Sequence, residues 1–229
     1  MPDRQHGAPV PAPNASAART LGERLAERGV SRRSFLKYAS WTASILALPP
    51  TAATAIAEGL ARARRQSVIW LSFQECTGCT ESITRAHTPS IEDLIFDFIS
   101  LDYHHTLQNA SGHAAEAARE AAMADNAGEY IVVVDGSVPT RDGGVYSTIA
   151  GMTNLQMLQD TVRDAFAVIA VGSCAAFGGI PGANPNPTGA VAIGELVRDK
   201  PVINIPGCPP IPEAMTGTLA YLLSFGGIP

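Results

Sequence analysis

From residue 67 onwards the chain alternates between short, continuous apolar runs and longer stretches of mixed polarity. The runs at residues 68–73, 94–101, 130–136, 167–172 and 201–207 are rich in Val and Ile and predict five strands. Between them, the polar and apolar spacing predicts helices. One opens at the cysteine-containing turn 76–79 and runs towards His87, where Pro89 interrupts it. Others cover residues 113–125, 155–164, 190–198 with Thr188 as its cap, and 213–223. Strands that are apolar throughout, rather than alternating, are buried on both faces and belong to parallel sheets. The pattern predicts an α/β, flavodoxin-like, doubly wound domain with helices on both faces of the sheet.

The first part of the chain follows a different pattern. Residues 1–30 are rich in Ala, Pro and Arg without a sustained apolar face, and Ser31-Arg32-Arg33-Ser34-Phe35-Leu36-Lys37 follows. A moderately apolar run over residues 38–48 is broken by Pro49-Pro50, and Ala53-Thr54-Ala55 and Ala55-Ile56-Ala57 are candidate cleavage sites. A basic region, a short apolar region and an Ala-x-Ala site form a secretory signal, here with the paired arginines of the twin-arginine type. A basic amphipathic helix on a membrane surface is the alternative. Residues 1–57 are therefore expected to be a twin-arginine signal and residues 58–229 the folded domain. That export route carries proteins already folded, so the leader predicts a body holding a cofactor inserted before export.

Charge supports the division. Residues 1–66 hold 10 Lys and Arg against 4 Asp and Glu, and residues 67–229 hold 6 against 17, giving the net −5 of the whole chain. A body that acidic excludes nucleic-acid binding by phosphate neutralisation. At 229 residues, with 46% hydrophobic and 16% charged residues, the chain has an ordinary globular composition. No run reaches the roughly 18 to 20 apolar residues of a membrane-spanning helix.

The four cysteines are placed by the strands. Strand one runs into Cys76 and Cys79, strand four into Cys174 and strand five into Cys208. Parallel strands end on one edge, which is where such sheets bind ligands, so all four thiols are expected to converge. Gly and Pro surround each of them, and a Cys-Pro step recurs at iron–sulfur ligands. Four thiolates can hold a 4Fe–4S cluster, a Zn ion or two disulfides, and the spacing leaves these open. A redox disulfide at Cys76-Thr77-Gly78-Cys79 would leave Cys174 and Cys208 unexplained.

Residues 68–82 (VIWLSFQECTGCTES), 100–107 (SLDYHHTL), 131–137 (IVVVDGS), 171–174 (VGSC), 184–189 (NPNPTG) and 202–210 (VINIPGCPP) together resemble the small subunit of a nickel–iron hydrogenase. The resemblance implies that Cys76, Cys79, Cys174 and Cys208 ligate the proximal 4Fe–4S cluster. It also implies a heterodimer with a large subunit whose nickel–iron centre oxidises hydrogen, this chain taking the electrons away. A membrane cytochrome is a candidate acceptor. The expected location is the periplasmic side of the cytoplasmic membrane, in association with it. Glu75 and Thr77 match residues suggested to relay protons, the alternative for Glu75 being a pairing with backbone or partner groups. Gly78 and Gly179 stand where oxygen-tolerant members carry extra cysteines, which implies the oxygen-sensitive kind. His87, His104 and His105 are expected to be solvated or locally hydrogen-bonded, and Trp70 and Phe177 to pack in the core or an interface.

The family pattern continues past the point where this sequence stops, at Gly226-Gly227-Ile228-Pro229, into a domain binding medial and distal clusters. A fragment or a truncated product is the expectation, with those clusters only in the further part. The isolated chain is then expected to aggregate or lose its cluster. An exported Cys-x-x-Cys thiol–disulfide oxidoreductase and a Zn-stabilised interaction module are the competing functions.

Overall fold

A computed structural model describes residues 20–27 and 29–228. The first 19 residues of the expected leader, and the terminal Pro229, lie outside the described residues. Five strands form one parallel sheet: β1 (Gln66–Ser72), β2 (Ile99–His104), β3 (Ile131–Asp135), β4 (Ala167–Val171) and β5 (Val202–Ile205). Their order across the sheet is β2-β1-β3-β4-β5. This is the flavodoxin-like order, as the apolar runs predict.

Because successive side chains on a strand point to opposite faces, the two faces divide the core between them. Val68, Trp70, Ile131, Val133, Ile169, Val171 and Ile205 line one face. Ile69, Leu71, Val132, Val134, Val168 and Ala170 line the other. The second face is covered by α5 (His113–Asp125) and α6 (Asn154–Val162), through Ala115, Ala122, Met157, Leu158 and Val162. The first is covered by α8 (Pro212–Phe225), whose Met215, Leu219, Ala220 and Leu222 are buried. Helices α1 (Leu21–Glu27), α2 (Arg32–Ile45) and α3 (Ala52–Arg62) pack on that same side, adding Tyr38, Ala39, Ala43, Ile56 and Leu60 to the cluster. None of the described helices is long and apolar enough to cross a membrane.

Three sequence expectations are corrected. Residues 94–98 form a π-helical turn, and the second strand begins only at Ile99. Ser90 starts this helical segment by accepting from the Asp93 N–H, and the Arg65 guanidinium donates to the carbonyls of Ile95 and Ile99. An apolar run of this length does not distinguish a buried strand from a buried helical turn. The helix from the Cys-x-x-Cys turn is short, α4 (Gly78–Ile83). Thr188 caps no helix: Ala190–Val191 pairs antiparallel with Val138–Pro139, and a single helical turn follows at Ile193–Leu196. The Thr188 hydroxyl instead faces the side-chain amide of Gln74 at 3.3 Å.

Ile131 is 1% exposed in the middle strand, so truncating it leaves a cavity in the cluster on the face covered by α1–α3 and α8. Ile131→Ala is expected to cost about 2–5 kcal/mol in denaturant unfolding, from lost transfer energy and the cavity together. Val145→Ala, at a site 58% exposed, is expected to stay within about 0.5 kcal/mol.

Candidate metal centre

The register of the sheet sets the site. Ser72, Asp135, Val171 and Ile205 are paired across β1, β3, β4 and β5 and mark one level at the carboxyl edge. Cys174 lies three residues beyond Val171, Cys208 three beyond Ile205, and Cys76 four beyond Ser72. The topology therefore delivers all four thiols to one pocket, lined by Glu75, Cys76, Cys79, Ser173, Cys174 and Cys208 with Gly78, Gly207 and Pro209. All four cysteines are free thiols, Cys76 and Cys208 exposed and Cys79 and Cys174 half-buried.

The loops that carry them are tied to one another. Gln74 and Ser137 exchange backbone hydrogen bonds at 3.1 Å, holding the exit of β1 against the exit of β3. The Ser173 N–H donates to the Gly207 carbonyl at 2.7 Å, and its hydroxyl to the same carbonyl at 3.1 Å, joining the loops after β4 and β5. The buried Ser82 hydroxyl donates to the Pro210 carbonyl at 2.6 Å, joining α4 to the Cys208 loop.

Glycine is required where the chain passes under the sulfurs. At Gly172 (φ +84), which turns β4 into α7 (Gly172–Phe177), a Cβ would sit 2.4 Å from the Cys79 Sγ. At Gly179 (φ +56) it would sit 2.6 Å from the Cys174 Sγ. Both positions combine a left-handed backbone with a close approach to a cysteine, at Gly179 also to the Cys174 Cα at 2.8 Å, so a side chain at either would displace the neighbouring thiol or its backbone.

The electrostatics of the pocket are those of crowded acids. Burial pushes the Cys79 thiol up to about 12, with Asp135, Cys174, Glu75 and Cys76 adding repulsion. Burial raises Cys174 as well, while the Ile180 N–H pulls it back by donating towards the sulfur. Glu75 rises to about 7 through burial and the nearby Asp135, and the Thr77 hydroxyl opposes this by donating to its Oε1 at 3.2 Å. A set of soft sulfur donors that repel one another as thiolates, with the Ile180 N–H aimed at one of them, is suited to a positively charged metal group.

Beneath the pocket lies a network whose members fall in three of the quoted sequence blocks, which gave no sign that they meet. Asp135 is fully buried at the end of β3, and burial raises its carboxyl despite Ser72, Thr80 and Trp70. The Thr80 hydroxyl donates to Asp135 Oδ2 at 3.0 Å. His104 Nδ1 accepts from the Thr106 N–H at 3.3 Å, so Nε2 carries the proton and faces Thr80 Oγ1 at 3.4 Å. Burial lowers His104 to about 4, which keeps the ring neutral. The one available signal was a single carboxylate closing the run Ile131-Val132-Val133-Val134.

The remaining candidates separate. Glu75 and Thr77 flank Cys76 at the rim, Thr77 taking a left-handed conformation (φ +68) just ahead of α4. His87 and His105 are exposed, whereas His104 is buried and stacks on Trp70 with ring centres 5.3 Å apart. Trp70 is core, at 3% exposure, and Phe177 is surface, at 68%.

Comparison with known proteins follows this geometry. Residues 76–222 match the family described as NADH ubiquinone oxidoreductase, 20 Kd subunit. The chain is 47% identical over 209 residues to the periplasmic NiFe hydrogenase small subunit 1 of Nitratidesulfovibrio vulgaris, covering 90% of this chain and 66% of that one. It is 44% identical over 214 residues to the uptake hydrogenase small subunit of Azotobacter vinelandii, covering 93% and 60%. Among solved structures it superposes on a chain of the Ni-Fe-Se hydrogenase of Desulfomicrobium baculatum with a TM-score of 0.68 at 34% identity, over 70% of this chain and 62% of that chain. The chain thus spans between about half and two thirds of the length of the curated relatives it matches. The chain belongs to the NADH ubiquinone oxidoreductase 20 Kd subunit family, and within it to the small subunits of nickel–iron hydrogenases.

Proposed function

We propose that this chain is the electron-transfer small subunit of an exported nickel–iron uptake hydrogenase, and that Cys76, Cys79, Cys174 and Cys208 hold its proximal 4Fe–4S cluster. The observation that carries the reading is the convergence of the four thiols on one pocket over glycines that leave no room for a Cβ. When bound, the cluster supplies one-electron transfer. The protein's part is to hold four thiolates from three cross-tied loops, and to aim the Ile180 N–H at the Cys174 sulfur. Among the described residues no group of three or more His, Cys, Asp and Glu stands ready to hold a metal ion, so zinc and the cluster are told apart by metal and sulfide content. The thiol–disulfide alternative uses Cys76 and Cys79 alone and leaves Cys174 and Cys208, which line the same pocket, without a role.

Hydrogen oxidation then belongs to a large subunit docked on this edge. Phe177, Ile180 and Ile211, at 68%, 83% and 61% exposure, stand close in sequence to Cys174 and Cys208 and suit such a partner. Glu75 and Thr77, hydrogen-bonded to each other beside Cys76, are placed to exchange protons across that contact. The relatives named as uptake and periplasmic enzymes support the twin-arginine leader and a periplasmic site of action.

Three outcomes test this. The chain purified without oxygen together with its large subunit is expected to carry about four irons and four acid-labile sulfides and to reduce a dye with hydrogen. Zinc without sulfide, or an intact disulfide without metal, would overturn the assignment. Gly172→Val, which drives a side chain into the Cys79 sulfur, is expected to abolish the iron and sulfide content even where the chain remains folded by circular dichroism. Glu75→Gln is expected to slow hydrogen turnover roughly 100-fold with iron and sulfide content kept. Unchanged turnover would leave Glu75 as a local partner of Thr77 only.

A further inference from the structure

Helices α2 and α3 make a contact that the electron-transfer reading does not use. Along one side of α8, Gly217 and Ser224 stand two turns apart and face the N-terminal segment. A Cβ on Gly217 would meet Leu46 at 3.8 Å and Thr42 at 3.9 Å. The Ser224 hydroxyl reaches the Ile56 carbonyl at 3.3 Å, and a Cβ on Gly59 would come within 2.4 Å of the Ser224 carbonyl oxygen. The backbones of α3 and α8 therefore touch, and Ile56 and Leu60 are fully buried between them and the rest of the core.

The expected cut sites lie inside this contact. Both Ala-x-Ala sequences, at residues 53–55 and 55–57, belong to α3 (Ala52–Arg62). A peptidase must take its substrate as an extended strand to pair with the backbone, and a helical segment with Ile56 and Ala57 buried offers none. The basic side of α2 does the reverse. Arg33 and Lys37 are exposed, while Tyr38, Ala39 and Ala43 are turned inward. Tyr38 meets Phe98 edge-on with ring centres 5.7 Å apart.

We infer that residues 32–62 dock on α8 as a reversible cover of the folded chain, displaying the basic signal face while hiding the cleavage site. Removal of the leader then follows its undocking. The docking stands on the contacts above, and that it masks a cleavage site rests on the export reading.

The test uses the purified 229-residue chain. Hydrogen exchange read by mass spectrometry is expected to show residues 52–62 protected roughly 100-fold or more over an unstructured peptide. Leader peptidase in detergent is expected to cut after Ala55 or Ala57 at least about tenfold faster in Ser224→Leu, whose side chain wedges α3 from α8, than in the unaltered chain. Ser224→Ala, which keeps the close approach, should be cut like the unaltered chain. Free exchange over residues 52–62, or cleavage of the unaltered chain as fast as Ser224→Leu, would overturn the masking. Should Ser224→Leu fail to fold, the exchange of the unaltered chain decides alone. The export reading is tested apart from this, by fractionating cells that make the chain with Arg32→Lys and Arg33→Lys together. Undiminished export would overturn that reading and leave the exchange result standing.

Discussion

Parallel pairing brings every strand of this sheet to its end on the same edge, and the pocket depends on that geometry. Ser72, Asp135, Val171 and Ile205 stand level across four strands, and each cysteine follows within a few residues of one of those levels. Short loops suffice because the sheet has already done the positioning. The cross-ties from Ser173 to Gly207, Ser82 to Pro210 and Gln74 to Ser137 then convert three separate turns into one frame. Four soft donors held this closely repel one another as thiolates. A positively charged metal group would relieve that repulsion, whereas an empty, fully ionised pocket would be unfavourable.

The frame rests on a polar layer within an apolar sheet. Asp135, Thr80 and His104 form a chain of hydrogen bonds directly below α4, between Trp70 and the pocket. Polar groups buried to this degree are costly unless partnered, and once partnered they fix the positions of the elements that supply them. Thr80 belongs to the helix that carries Cys79, Asp135 to the central strand and His104 to the neighbouring one. The network thus couples the position of the helix that carries Cys79 to the sheet beneath it.

The opposite demand arises on the face covered by α8. Gly59 lets the backbone of α3 meet that of α8 at Ser224, and Gly217 leaves room for the side chains of Leu46 and Thr42, so that segments rich in Ala contribute to the same core as the strands. Each fully buried Ile or Leu in that contact is worth roughly 1.5–3 kcal/mol relative to exposure. A segment with the composition of a leader is in this way also part of the fold's packing.

Much of this was legible in the chain. The five apolar runs predict the five strands and their parallel arrangement, because a strand buried on both faces carries its signature in consecutive residues. The position of each cysteine just past a strand predicts their convergence, since strand direction alone sets it. What failed was local. Residues 94–98 look like strand because a buried turn and a buried strand share an apolar composition, and the hydrogen bonds from Arg65 that favour the turn come from a distant part of the sequence. Thr188 looks like a helix cap, but residues 190–191 are held in a ladder with residues 138–139. Asp135, Ser82 and Ser173 lie in the quoted blocks, but their roles were not legible there, since each acts through a partner 34 to 128 residues away or through burial between strands. The placement of α2 and α3 on α8 was also beyond reach. Basic and small residues give the segment the pattern of a leader, and only the shape of the facing helix decides whether such a segment has somewhere to sit.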